Sequence, residues 1–326
     1  TTWAFDSLQA ALSGQSCETL FHLALAWSCA LALIFIATWT AEALYFPGYT
    51  KAQTTTEKLF PHRNGPRAKI NLFFFRFEGP AWAFAVKEMR TFFRDQTQWP
   101  QLFLIAALIA IYLYNFSVLP LGESQTRTIY LQNIFSFLNM GLASFVLTAI
   151  AARFVYPAVS FEGEAFWIVR AAPISLRTFL WVKFIVYGFP LLILAEILIV
   201  SSNILLQVKP FMMILSVVTV LLTTPGVVAL GIGLGAAYPD FRSENPAQAV
   251  TSFGGLLFML LAAGFIAAVI MLEAGPVYQL FMADFRGRGL AVGQWIWVVV
   301  SFSLVLFLSL LAVWIPMRFG ERRLRS

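Results

Sequence analysis

The residues of this chain whose types and spacing could do chemistry or hold a partner are few, and most fall in two short segments. The first, Val86–Asp95, reads Val-Lys-Glu-Met-Arg-Thr-Phe-Phe-Arg-Asp. On a helix, Lys87, Arg90 and Arg94 share one face at i, i+3 and i+7, with Phe92 and Phe93 free to turn toward lipid. The second, Ser160–Ser175, reads Ser-Phe-Glu-Gly-Glu-Ala-Phe-Trp-Ile-Val-Arg-Ala-Ala-Pro-Ile-Ser. Glu162 and Glu164 stand ahead of a short helix that Pro173 ends, because proline cannot continue the hydrogen-bond ladder. The two carboxylates have two compatible readings: capping their own helix, worth ~0.3–1 kcal/mol, or pairing with cations on another protein. A third candidate is Glu196, in the middle of Leu-Leu-Ile-Leu-Ala-Glu-Ile-Leu-Ile-Val. An ionised carboxylate at such a place costs about 2.5–3.5 kcal/mol, so it must face protein or water. It lines a substrate path or carries a proton, or else it is a structural group bonded to Asn203, Ser201 or a partner subunit.

Other chemistries are excluded by pattern. There is no Gly-x-x-x-x-Gly-Lys-Ser/Thr, hence no phosphate-binding loop in these residues. Gly231-Ile-Gly-Leu-Gly235 lies deep in an apolar stretch, where small residues let helices approach closely. His-Glu-x-x-His, paired intramembrane Asp and Gly-x-Ser-x-Gly are all missing, which argues against an intramembrane enzyme. Cys17 and Cys29 imply neither a disulfide framework nor a metal site, and His22 and His62 fall on opposite sides of the expected membrane.

The elements that must position these residues are membrane spans. The chain is 60% hydrophobic and 12% charged, with 33 Phe and 10 Trp. A soluble protein of this length could not hide so much apolar surface, so the solvent is lipid. Spans are expected near Leu20–Leu44, Gln101–Leu121, Ile129–Ala152, Lys183–Leu206, Phe211–Ala237, Thr251–Leu272 and Ala291–Ile315. Lipid offers the backbone no hydrogen-bond partner, so the expected fold is all-α, a polytopic helical membrane protein with about seven transmembrane helices. The segments 45–100, 153–183, 238–250 and 316–326 carry 18 of the 22 Lys and Arg. That asymmetry places them, and the C-terminus, in the cytoplasm. It also accounts for the net charge of +6 without nucleic acid.

Residues 51–69, with Thr54-Thr55-Thr56 and Asn64-Gly65-Pro66, read as a cytoplasmic linker. Residues 1–50 then form an extracytoplasmic segment and the last helix of a preceding half. Residues 70–326 form a six-helix domain with an interfacial helix ahead of its first span. Half-apolar segments precede both the first and the last span, a weak internal repeat. The chain begins Thr-Thr-Trp, and the expectation is the later part of a longer protein. Outer loops are expected at 122–128, 207–210 and 273–290, and Glu42 and Glu273, near span ends, are expected to reach the interface.

Three motifs in order carry a family resemblance. Lys87-Glu-x-Arg90-x-x-x-Arg94-Asp95 precedes the first span of the six. Glu162-Gly-x-x-Phe-Trp-x-x-x-x-x-Pro173-Ile-Ser, then seven residues and Lys183, follows the second. Tyr238-Pro-Asp-Phe-Arg-Ser-Glu-Asn-Pro246 follows the fifth. The chain resembles ABC exporter permeases of the type-2 class, most of all the bacterial two-half permeases. The likeness covers residues 70–326 well and 1–69 as the end of a first half. It implies a multi-pass protein of the bacterial cytoplasmic membrane, with Lys87, Glu88, Arg90, Arg94 and Asp95 on an interfacial helix. It also implies a coupling helix, carrying Glu162, Gly163, Glu164, Phe166, Trp167, Arg170 and Pro173, docked on a separate ABC ATPase. ATP and Mg would sit on that partner, leaving no catalytic residue, cofactor or metal here. Membrane lipids and a second permease half or second copy are the other implied partners. The cargo is open, lipid-like or amphipathic molecules suiting the aromatic spans. The competing reading is a proton-coupled secondary transporter using Glu196.

Overall fold

The computed structural model describes residues 2–54, 79–94, 98–117, 125–241, 246–286 and 291–325. Among them there is no strand. The chain forms two compact units, residues 1–74 and 75–326. In the first, helix α1 (Thr2–Leu12) turns through Gly14, at φ 76°, and packs back on the 39-residue α2 (Ser16–Thr54). None of the apolar stretch Ser16–Ala43 is buried inside the unit, and Trp27, Phe35 and Trp39 point outward. In water such a surface would collapse; in lipid it is satisfied as it stands.

The second unit contains α3 (Pro80–Arg94), α4 (Gln98–Ser117), α5 (Gln125–Phe154), α6 (Phe166–Ala171), α7 (Leu176–Leu205), α8 (Pro210–Ala237), α9 (Phe253–Arg286) and α10 (Val292–Arg325). Six described helices of the chain are long and apolar enough to cross a membrane, so this is a polytopic all-α protein. The span expected at Gln101–Leu121 is the 20-residue α4, about 30 Å at ~1.5 Å per residue. Its apolar stretch, Gln101–Asn115, is shorter than the other six. Residues 118–124, most of the expected loop 51–69, and Asp95 lie outside the described residues.

Helix α8 is the centre, packed by α5, α7, α9 and α10. Its glycines let backbone meet backbone. A Cβ on Gly235 would stand 2.1 Å from the Tyr156 carbonyl oxygen, and one on Gly233 2.3 Å from that of Pro316. At Gly231 the nearest neighbour is a side chain, Val155 Cγ1, 3.0 Å from such a Cβ. Polar groups add specificity. Tyr112 donates to Asn139 Oδ1, and Asn139 Nδ2 donates to Ser202 Oγ at 2.7 Å. One turn away Ser136 donates to Asn203 Oδ1 at 3.0 Å, and Asn203 Nδ2 donates to Ser216 at 2.6 Å. These bonds tie α4, α5, α7 and α8 in a setting without water. Asn115, by contrast, donates back to the Ile111 carbonyl of its own helix.

Two expectations need correction. Helix α9 continues to Arg286, through most of the stretch expected to be an outer loop. Pro276 lacks the N–H that would bond the Leu272 carbonyl, and Ser301 of α10 donates to that carbonyl instead. Gly275 leaves room for the Trp297 ring, which would lie 2.6 Å from a Cβ there. Glu273 therefore does not reach the interface. It is 1% exposed and accepts bonds of 2.8 and 3.0 Å from Thr219 of α8.

Candidate functional site: a charged latch beneath an exposed hairpin helix

One end of the bundle gathers α3, the start of α7, the ends of α8 and α10, and the connection 155–175. That connection runs through 3-10 turns at Tyr156–Ala158 and Ser160–Ala165 before α6. Gly163 redirects it at φ 55°, ψ −146°, a region essentially closed to residues with a Cβ. Ala172 is extended, as the residue before a proline must be, and ends α6. Ser175 then caps α7, accepting from the Thr178 N–H at 3.1 Å. The Pro-Ile-Ser motif is thus the stop of one helix and the start of the next.

Beneath this hairpin lies a four-charge latch. Lys183 of α7, 1% exposed, is ion-paired with two carboxylates and hydrogen-bonded to one carbonyl. These are Glu88 Oε1 at 3.0 Å, Glu162 Oε1 at 2.9 Å and the Ala158 carbonyl at 2.8 Å. Lys87 closes the ring, 2.6 Å from Glu162 Oε2 and 3.2 Å from Glu88 Oε1. Tyr187 donates to the other Glu88 oxygen at 3.2 Å. Two cations and two anions cancel, which makes burial tolerable where a lone charge would be expelled. Burial works against the Lys87 charge, but Glu88 and Glu162 outweigh it and hold its pKa above the ordinary lysine value. Its part in the latch is therefore lost only as the pH rises beyond that range. The latch joins three elements: helix α3, the turn ahead of α6, and α7.

Helix α3 is amphipathic in the required sense. Phe84 packs edge-on against Phe179, Glu88 enters the latch, and Phe92 packs on Phe154 rather than on lipid. Phe93, Arg90 and Arg94 are exposed.

Helix α6 is pegged from below and bare above. Phe166 stacks on Phe241 at 4.7 Å between ring centroids and leans on Phe179. Arg170 lies over the Phe166 ring and donates to the Leu324 carbonyl of α10 at 2.7 Å. Ser160 accepts from the Asp240 N–H at 3.1 Å, fixing the segment after α8 to the same turn. Outward stand Glu164, Trp167, Ile168 and Pro173, with Trp167 68% exposed. Glu162 and Glu164, treated alike in the sequence, have opposite fates. Glu162 is spent inside the latch, whereas Glu164 is exposed and has no ion-pair partner among the described residues.

Replacing Gly163 with Ala isolates the backbone term, since the nearest atom to a new Cβ is Phe241 O at 4.0 Å. The expected loss is ~1–3 kcal/mol, read as a lower melting temperature of the detergent-purified protein.

Elsewhere, the carboxylate of Glu196 in α7 is shielded from solvent and has no hydrogen-bond partner among the described residues. Asn203, considered as its partner, is committed to Ser136 and Ser216. Sequence reasoning did not assign a role to Lys183, though the residue closes the second motif. It also passed over Tyr187 and Glu273 as buried partners.

A family model described as "Putative ATP-binding cassette" matches residues 1–326, and the chain belongs to that family, related to ABC transporters. No curated protein and no solved structure matches it.

Proposed function

We propose that the chain is the transmembrane permease part of an ATP-driven exporter of the bacterial cytoplasmic membrane. ATP and Mg bind on a separate ABC ATPase that docks on α6. The observation that carries this reading is the construction of α6. It is a six-residue helix, pegged by Phe166 and Arg170, whose outer face is bare aromatic and aliphatic surface beside a free carboxylate. Exposed Trp beside polar groups on a rigid support is the composition of an interface centre. The support is wired inward. A push on α6 bears on α7 and α3 through the latch, and on α8 and α10 through Phe241 and Leu324. ATP-driven closure of two ATPase subunits would move these elements and open a path outward or to lipid. A permease half of this kind works with a second half or a second copy. The aromatic spans suit a lipid-like or amphipathic cargo.

The test is purification of the full-length protein from its host in mild detergent, with ATPase assay of the complex. A Walker-motif subunit should co-purify and hydrolyse ATP, and Trp167→Ala with Glu164→Arg should reduce its retention at least tenfold. Absence of an ATPase from every preparation overturns the reading. It would favour proton-coupled transport through Glu196, whose carboxylate lies buried without a bonding partner among the described residues.

A further inference from the structure

We propose that α3 and the cavity behind it form a binding site for one anionic phospholipid of the leaflet in which α3 lies. Two spaces flank this helix. On one flank, between α3, the turn before α6 and α7, is a cleft of about 850 Å³ bordered by Trp82, Lys87, Arg90, Thr91 and Arg94. On the other flank, between α3, α4, α5 and α7, is an apolar cavity of about 190 Å³, lined by Phe92, Leu102, Ile105, Ile150, Leu191 and Leu194. Glu88, Phe92 and Tyr187 line both, so the two spaces share one wall.

Among the described residues, the charges around the cleft do not balance. Its titratable groups among the described residues are Lys87, Glu88, Arg90, Arg94, Glu162 and Tyr187. Glu88 and Glu162 are neutralised by Lys87 and Lys183 within the latch. Arg90 and Arg94 are exposed, and among the described residues no carboxylate lies within salt-bridge reach of either. Among the described residues, then, the cleft has two guanidinium groups without a carboxylate partner, whose planar donors match phosphate oxygens. Trp82 beside them is the side chain favoured at headgroup depth.

A ligand that satisfies both spaces must join a phosphate to a hydrocarbon chain. Free phosphate would leave the apolar cavity empty, and a neutral lipid would leave the arginines without an anion. A phospholipid of net negative charge answers both, with its headgroup on Arg90 and Arg94 and one acyl chain against Leu102, Ile105 and Leu194. The site abuts the latch through Glu88 and Tyr187, so its occupancy presses on the wall that α3 and α7 share. The proposal does not rest on export or on an ATPase.

Native mass spectrometry of the full chain tests it, after equilibration in equimolar phosphatidylglycerol and phosphatidylcholine. The wild type should retain phosphatidylglycerol at least tenfold over phosphatidylcholine, and excess inorganic phosphate should not displace it. Arg90→Gln with Arg94→Gln, both on the surface, should abolish the preference while the protein stays monodisperse. Leu194→Trp, which fills the cavity, should cut retention of both lipids. Equal retention by the wild type, an undiminished preference without the arginines, or displacement by inorganic phosphate overturns the proposal. So does retention that ignores the filled cavity.

Discussion

Lys183→Met should be among the most damaging single changes in this protein. The ammonium serves Glu88, Glu162 and the Ala158 carbonyl from a position 1% exposed. Removing it leaves two carboxylates facing each other in a buried site, with only the half-exposed Lys87 between them. Breaking a buried ion network by deleting one partner costs on the order of 3–5 kcal/mol, most of it the penalty of the charge left behind. The measurement is the thermal unfolding of purified protein in one detergent, where a drop of several degrees is expected. The double variant Lys183→Met/Glu162→Gln separates pairing from packing. It removes one charge of each sign, so it should be milder than the two single losses summed, with a coupling of roughly 0.5–3 kcal/mol. Strict additivity would show that the latch is four neighbours rather than one unit. In the proposed exporter the same variant should hydrolyse ATP without moving cargo, because the link from α6 to α7 is cut.

Gly235→Ala should be as harmful for a different reason. The added methyl would lie 2.1 Å from the Tyr156 carbonyl oxygen, a backbone atom that cannot swing aside. Either α8 leaves the turn at Tyr156–Ala158, or that turn shifts and takes Ala158, an acceptor of Lys183, with it. Overpacking of a close-packed interior typically costs 1–3 kcal/mol, and more where backbone must move. The expected result is a several-fold loss of monodisperse protein after extraction. Gly264→Ala in α9 is the control, because a Cβ there meets nothing within 4 Å. Helix propensity alone would make it neutral or more stable, by about 0.5–1 kcal/mol. Equal behaviour of the two variants would sink the close-approach argument.

The two changes illustrate what can and cannot be read along a chain. Hydropathy is a sum over neighbours in sequence. It was enough to establish lipid as the solvent, hence an all-α fold, and the approximate position of the long helices. Local stereochemistry was also legible. Pro173 stops α6, and small residues on α8 announce close packing. Where the local signal misled, it was at Gly275-Pro276, which resembles a helix end. The helix survives there because Ser301, on another helix, supplies the missing donor.

The fate of each charge was decided only in three dimensions. Burial of an ion depends on its partner, and the partners here are far apart in sequence: Glu162 meets Lys87 across 75 residues. Two positions along, Glu164 has no such partner among the described residues and faces out, because Gly163 at positive φ turns the chain between them. Glu273 stands at an apparent span end, yet Thr219 receives it inside the bundle. By itself the sequence determined the solvent, most of the helices and the motifs, since these follow from neighbouring residues. The tertiary structure decided which charges close the latch and which remain for a partner, since desolvating a charge is tolerable only where folding brings an opposite one to it.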